Sequence, residues 1–179
     1  MIFISLSLLI SLFWYTQKLN DYESDIRNDK NFVNIECEII DYNGKFKGSI
    51  FNYFHNNKEL KSSQSFTSDF LKIGEKYEGR LNKFEPEVAI LLLDKPIIDT
   101  AYFNNSLAKV IDINPQKFNL KSITYVYEIL NKKYERVQYI NVDYAININD
   151  IIDIYYKVDK NSIAYIKTGG NTIYSKLGD

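Results

Sequence analysis

With one cysteine in 179 residues, the chain can form no intramolecular disulfide, the staple on which small exported modules ordinarily rely. A single histidine, His55, is equally restrictive. Zinc takes three or four ligands and a Ser or Cys nucleophile needs a positioned base, so neither chemistry has its usual inventory. The seven glycines include no Gly-rich phosphate loop, and Gly169-Gly170 lacks the strand–helix context such a loop requires. Lys and Arg number 22 against 23 Asp and Glu, a net charge of −1, which supplies no electrostatic footprint for nucleic acid. With only three prolines the chain is not low-complexity either. From these absences no catalytic residue, metal ligand, cofactor or nucleic-acid partner is assigned.

What the chain has in quantity is aromatic residues, 15 Tyr and 11 Phe, which suit strands and half-buried sheet faces. It also has an apolar start. Residues 1–17 carry no charged side chain, and Met1 to Tyr15 are apolar apart from Ser5, Ser7 and Ser11. As a helix rising ~1.5 Å per residue, that stretch would span roughly 26 Å, the short end for a hydrocarbon core about 30 Å thick. Trp14 and Tyr15 fall where an interfacial aromatic pair belongs, with Lys18 just beyond. The expectation is an uncleaved, single-pass membrane anchor over residues 1–17 with a polar stalk behind it. A cleaved secretory signal competes, although no Lys or Arg precedes the run and no small-x-small site follows it. A soluble packing helix is the third reading, for which three serines make no proper polar face. Lys18, Arg27 and Lys30 favour a cytoplasmic body, but Asp21, Glu23, Asp25 and Asp29 dilute them, so cytoplasmic and periplasmic sides both stay open.

The rest of the chain is written twice. Ile148 to Ile166 echoes Ile73 to Leu91, with Ile73 over Ile148, Glu75 over Asp150, Tyr77 over Ile152 and Ala89 over Ala164. Upstream, Glu38-Ile39-Ile40-Asp41 recurs as Lys109-Val110-Ile111-Asp112, Ser49-Ile50 as Ser122-Ile123, Asn57-Lys58 as Asn131-Lys132, and Gln64 as Gln138. The spacing grows from 71 to 75 residues along the copy, and each step falls in or beside an expected turn. One inserted residue in a strand flips every later side chain to the other face, whereas loops absorb it. That placement argues for a tandem duplication.

Within the first copy, Val33, Ile35, Cys37 and Ile39 alternate with Asn34, Glu36 and Glu38, which predicts a half-buried strand over 32–41. Strands over 49–55 and 60–66 flank Asn56-Asn57-Lys58, a hairpin whose Asn residues tolerate positive φ. The turn Lys72-Ile73-Gly74-Glu75 leads to a fourth strand over 76–82, and Glu85-Pro86-Glu87 forms a corner. A fifth strand over 88–93 is an apolar run, buried on both sides or near the module junction, and Asp94-Lys95-Pro96 closes the unit. In the second copy the fourth strand is 151–157. The fold expected is mainly β: two tandem five-stranded antiparallel barrel- or sandwich-like modules, each a meander, behind an N-terminal apolar helix. The division is 1–31 apolar helix and stalk, 32–97 first module, 98–106 connector, 107–168 second module and 169–179 frayed tail. Modules of roughly 60–65 residues are marginal alone and gain from packing together or sharing a boundary strand.

Gly74-Glu75-Lys76-Tyr77 and Asn82-Lys83-Phe84-Glu85-Pro86, after a hairpin bearing Asn57-Lys58, resemble a widespread bacterial family of domains of unknown function. Its members pair a membrane helix with a small β-module, and the resemblance covers most of both copies. The second copy departs from the pattern, with Asn149 at the Gly position and Asn161 where the first has Pro86. The resemblance implies the architecture and brings no activity or catalytic residues.

Few residues invite chemistry. His55 ends a strand beside the hairpin and reads as a surface residue; Cys37, replaced by Ala108 in the second copy, reads as a small core residue. Asp143, Asp150, Asp153 and Asp159 crowd the second module with Asn147, Asn149 and Asn161 among them, a set of oxygens of the kind calcium uses, but in no EF-hand spacing. Tyr139, Tyr155 and Tyr165 are placed on the outer face of the second module, available to a protein partner or to cross-strand neighbours. The functional expectation is a non-catalytic, membrane-tethered binding or structural protein. The alternatives are an immunity-type protein neutralising a toxin partner, or a metal-dependent enzyme using the Asp150 and Asp153 region.

Overall fold

The computed structural model describes residues 30–44, 47–65, 67, 69–116, 118–168 and 171–174. The anchor expected over residues 1–17 and the stalk up to residue 29 lie outside the described residues. Among the described residues no helix is long and apolar enough to cross a membrane.

The body is all β. The first copy contributes β1 (Phe32–Asn43), β2 (Gly48–His55), β3 (Lys58–Gln64), β4 (Lys76–Asn82) and β5 (Ala89–Asp99). The second contributes β6 (Phe103–Pro115), β7 (Leu120–Ile129), β8 (Lys132–Asn141), β9 (Ile151–Lys157) and β10 (Ala164–Ile166). The two copies are ordered β5-β4-β1-β2-β3 and β10-β9-β6-β7-β8, one arrangement used twice, and the first sheet carries one further strand outside β5. It is a Greek key rather than the simple meander expected, because the fourth strand returns to lie beside the first. The loop between β3 and β4 is long enough to carry the chain back across the sheet. Each sheet then curls toward a barrel, with a Gln at its third strand closing the gap. Gln64 Oε1 accepts from Leu91 N at 2.9 Å, and Gln138 Oε1 accepts from Ile166 N at 2.7 Å.

Duplication extends to single bonds. Tyr53 OH donates to Pro86 O and Tyr127 OH to Asn161 O, both at 2.6 Å. Both first strands are irregular at matching points, between Ile39 and Asp41 and between Val110 and Asp112. There Gly74 N reaches Ile39 O at 2.8 Å and Asn149 N reaches Val110 O at 2.9 Å. The turn needs a left-handed residue: Gly74 has φ +87° and Asn149 has φ +73°. Asn is the non-glycine residue that accepts such a φ most readily, which explains the Gly-to-Asn exchange between copies. The hairpins also match, with positive φ at Asn56 and Asn57 and again at Leu130 and Asn131.

The expected connector at 98–106 is mostly strand: β5 runs to Asp99 and β6 begins at Phe103. Asp94-Lys95-Pro96 does not close the module but lies within β5, where pairing jumps from Gly79↔Leu91 to Tyr77↔Pro96. Within the expected frayed tail, β11 (Thr172–Tyr174) pairs in parallel with Ile97–Asp99 of β5.

The two modules share a wall. Along β10 and the residue before it, Ile163 and Tyr165 join the core of the first sheet. Ala164 and Ile166 join the core of the second. All four are at most 1% exposed. Period-two alternation thus serves two cores from one short strand.

Packing under the first sheet is tight at Gly79, where an added Cβ would meet Cys37 Sγ at 2.6 Å and Ile90 O at 2.8 Å. Gly79→Ala is expected to lower unfolding free energy by about 2–3 kcal/mol. Adding Cys37→Ala should restore part of that loss, since it removes one of the two clashes. Urea midpoints of the three chains check both; an unchanged midpoint for Gly79→Ala would contradict the packing.

Candidate functional site at the module junction

The junction is built around an ion pair with almost no access to water. Arg136 Nη2 donates to Glu75 Oε1, with side chains 2% and 0% exposed. Arg136 Nη1 donates to Phe70 O at 2.8 Å, and Tyr77 OH donates to Glu75 Oε2 at 3.3 Å. Glu75 ends the turn just before β4 of the first module and Arg136 lies on the inward face of β8, so the pair ties one copy to the other. Their counterparts by duplication are Asp150, which caps its own turn through Asn147 N at 2.7 Å, and Ser62. The junction is therefore a one-off feature on a repeated frame.

Aromatic rings pack around the pair. Tyr165 meets Tyr77 edge-on at 6.1 Å and lies 5.8 Å from Phe103, while Phe70 lies 4.9 Å from Tyr139. Tyr125 OH donates to Ala164 O at 2.7 Å. Arg136 Nε, Gln138 Nε2 and Tyr165 OH have no protein partner among the described residues. The Glu75 carboxyl is held above its ordinary range by burial, with Arg136 pulling it back. Burial works against the Arg136 charge, but Glu75 together with the surrounding Tyr125, Tyr77 and Tyr165 outweighs it, so the guanidinium stays charged.

Above this floor opens a cleft of about 430 Å³ lined from both modules. Glu36, Lys76 and Asp99 come from the first, and Phe103, Lys157 and Asp159 from the second. Lys76 Nζ bonds Glu36 Oε1 at 2.6 Å, and Lys157 Nζ lies 3.6 Å from Asp159 Oδ2. The hydrogen bond to Glu36 raises the Lys76 ammonium above its ordinary value despite partial burial. The walls thus offer cations, carboxylates and flat apolar surface within one space.

The residues singled out in the sequence fall elsewhere or serve otherwise. His55 sits in the β2–β3 hairpin with Nε2 3.1 Å from Asn56 Nδ2. Cys37 is fully buried under the first sheet. The four aspartates do not converge: Asp150 caps a turn, Asp153 lies 4.0 Å from Lys167 and Asp159 pairs with Lys157. Among the described residues no group of three or more His, Cys, Asp or Glu could hold a metal ion. The three tyrosines expected on an outer face need correction. Tyr165 is 0% exposed inside the junction, Tyr155 packs against the first core, and Tyr139 covers Phe70. The second module's strands face the first, so a surface that looks outward for one module alone is an interior surface for the pair.

Removing one member of the buried pair leaves the other charged and unpaired. Glu75→Gln or Arg136→Met is each expected to cost about 3–5 kcal/mol, whereas Glu75→Leu with Arg136→Met costs less than either alone. Urea denaturation of the three variants checks the ordering. A second expectation concerns pH. Burial pushes the Cys37 thiol from 9.0 up to about 12. The folded chain holds that proton where the unfolded chain has lost it, so stability is full below pH 9 and declines as pH rises toward 12. Tyr77 and Tyr165, held above their ordinary range chiefly by burial, add to the same slope. Urea midpoints at about pH 8 and about pH 10.5 should fall, and fall less in Cys37→Ala. No family model, no curated protein and no solved structure matches the chain.

Proposed function

We propose that the chain is a non-catalytic, membrane-tethered binding protein whose ligand seats in the cleft between its two modules. The observation that carries the reading is the cleft of about 430 Å³ assembled from both copies. Ligand sites favour such junctions and volumes of roughly 300–1,000 Å³. Lys76 and Lys157 suit an anionic group, Asp99 and Glu36 a cationic one, and Tyr102 and Phe103 a flat apolar stretch. That combination fits a short peptide or amino-acid-like ligand carrying both charges. The tether rests on the uncharged run over residues 1–17. The non-catalytic part draws support from His55 on a hairpin and Cys37 held protonated in the core.

The full chain, purified in detergent micelles, is to be titrated with zwitterionic amino acids and short peptides bearing both charges. Binding that weakens at least about tenfold, some 1.4 kcal/mol, in both Lys76→Ala and Lys157→Ala is the expected result. Binding indifferent to both substitutions, or turnover of a substrate by the purified chain, would sink the reading. Carbonate extraction and protease accessibility on intact cells test the tether and its side; release of the chain by carbonate would remove it.

A further inference from the structure

The end of the first module at which the chain enters it carries two exposed rings. Phe84 is 76% exposed in the turn after β4, and Phe54 is 68% exposed near the close of β2. Tyr53 OH, one residue before Phe54, reaches Pro86 O at 2.6 Å, which puts the hairpin and the turn at the same end of the sheet. Single exposed apolar residues are ordinary. Phe84, however, rides on a turn held by its own bonds. Asn82 Oδ1 accepts from Phe84 N at 2.9 Å and from Glu85 N at 3.4 Å, and Val88 N donates to Glu85 O at 2.8 Å. The same turn is fastened to the entering chain. Lys83 N donates to Asn31 O at 2.9 Å and Lys83 Nζ to Lys30 O at 2.8 Å.

The second copy builds the same turn with other chemistry. Ile163 N donates to Lys160 O at 2.8 Å as Val88 N does to Glu85 O, and Val158 N donates to Tyr102 O as Lys83 N does to Asn31 O. There Asp159 stands at the position of Phe84, and Glu128 at that of Phe54, so the backbone does not demand the rings. The second copy exposes Leu130, Val158 and Tyr102 at its own matching end. Lys160 Nζ, bonded to Ile73 O at 2.6 Å, holds that corner at the opposite end of β4 from Phe84. Position therefore sets Phe84 apart. Only residues 18–29 separate its end of the body from the uncharged run over residues 1–17. Fully extended, that length of chain reaches no more than roughly 45 Å. So short a leash raises the local concentration of this end at a bilayer, where a contact too weak to hold a free protein suffices.

We propose that this end of the first module lies on the bilayer that holds residues 1–17, with Phe84 in the headgroup region and Phe54 beside it. The inference rests on the tether proposed above. Exposed Lys30, Lys58 and Lys83 stand against exposed Glu59, Glu85 and Glu87, so zwitterionic headgroups satisfy the rim and neither sign is selected. Gly74 and Lys76 of the cleft lie at the other end of β4, roughly 20 Å away along the strand. The contact thus holds the cleft clear of the lipid, open to a soluble ligand.

The test places the full chain in phosphatidylcholine vesicles whose acyl chains are brominated, a contact quencher of tryptophan emission. Trp14→Phe removes the one native tryptophan. A reporter is then introduced by Phe84→Trp or, in a separate chain, by Leu130→Trp, both at exposed positions. Relative to unbrominated vesicles, emission from position 84 should fall at least about twofold, as for a ring seated ~5–10 Å into the headgroup and acyl boundary. Emission from position 130 should not change. Flotation of the vesicles separates the two ways of failing. A chain that does not float with them overturns the tether and the contact together. A chain that floats but is unquenched at position 84, or equally quenched at position 130, overturns the contact and leaves the tether standing.

Discussion

Glu75 and Arg136 meet where neither has access to water, and the arrangement of the whole molecule follows from keeping them together. Each charge alone would be costly to bury, and their attraction offsets that cost only when remaining donors and acceptors find partners. Tyr77 and the Phe70 carbonyl supply such partners, one from β4 and one from the loop before it, and leave only Arg136 Nε without one among the described residues. The pair therefore fixes the approach of β8 to the start of β4 within narrow limits. Hydrophobic contact alone is non-directional and would tolerate sliding between two curled sheets. A guanidinium with a fixed fork of donors does not. The cleft above inherits its shape from that constraint, since its walls belong to different modules.

Duplication and divergence divide the labour. What is kept between copies is backbone chemistry: the left-handed residue at Gly74 and Asn149, the Tyr-to-carbonyl bonds, the Gln closures and the irregularity after Ile39 and Val110. What differs is what faces out or across. Glu75 has gone inward where Asp150 caps its turn, and Arg136 stands where the first copy has Ser62. A repeated frame with unlike faces can pack on itself without generating an endless array, because the contact between the copies is heterologous and used once.

Most of the frame was legible in the sequence, and the reasons are local. Period-two alternation in Val33–Ile39 and turn chemistry at Asn56-Asn57 act over a few residues and need no knowledge of the rest. β4 at 76–82 and β9 at 151–157 stand where alternation placed them. The Greek-key return was not legible, because strand order is set by non-local pairing that no short window encodes. The outer-face assignment of Tyr165 failed for the same reason: a strand buried on both faces looks half-exposed when its second partner is unknown. The junction pair did leave a trace. Tyr134, Arg136, Gln138 and Ile140 share one parity of β8, so an arginine on an inward face was visible in the alternation. Its partner was not, since nothing around Glu75 distinguishes a buried carboxylate from a solvated one.

The strand that serves two cores has a consequence for how the chain is made. Polypeptides emerge from the ribosome N-terminus first, and tandem domains ordinarily fold in that order. Here the first core stays incomplete until Ile163 and Tyr165 have been synthesised, and β11 joins β5 later still. The earliest module to appear is thus the last to be finished. Throughout elongation its apolar floor waits for a cover encoded in the second copy.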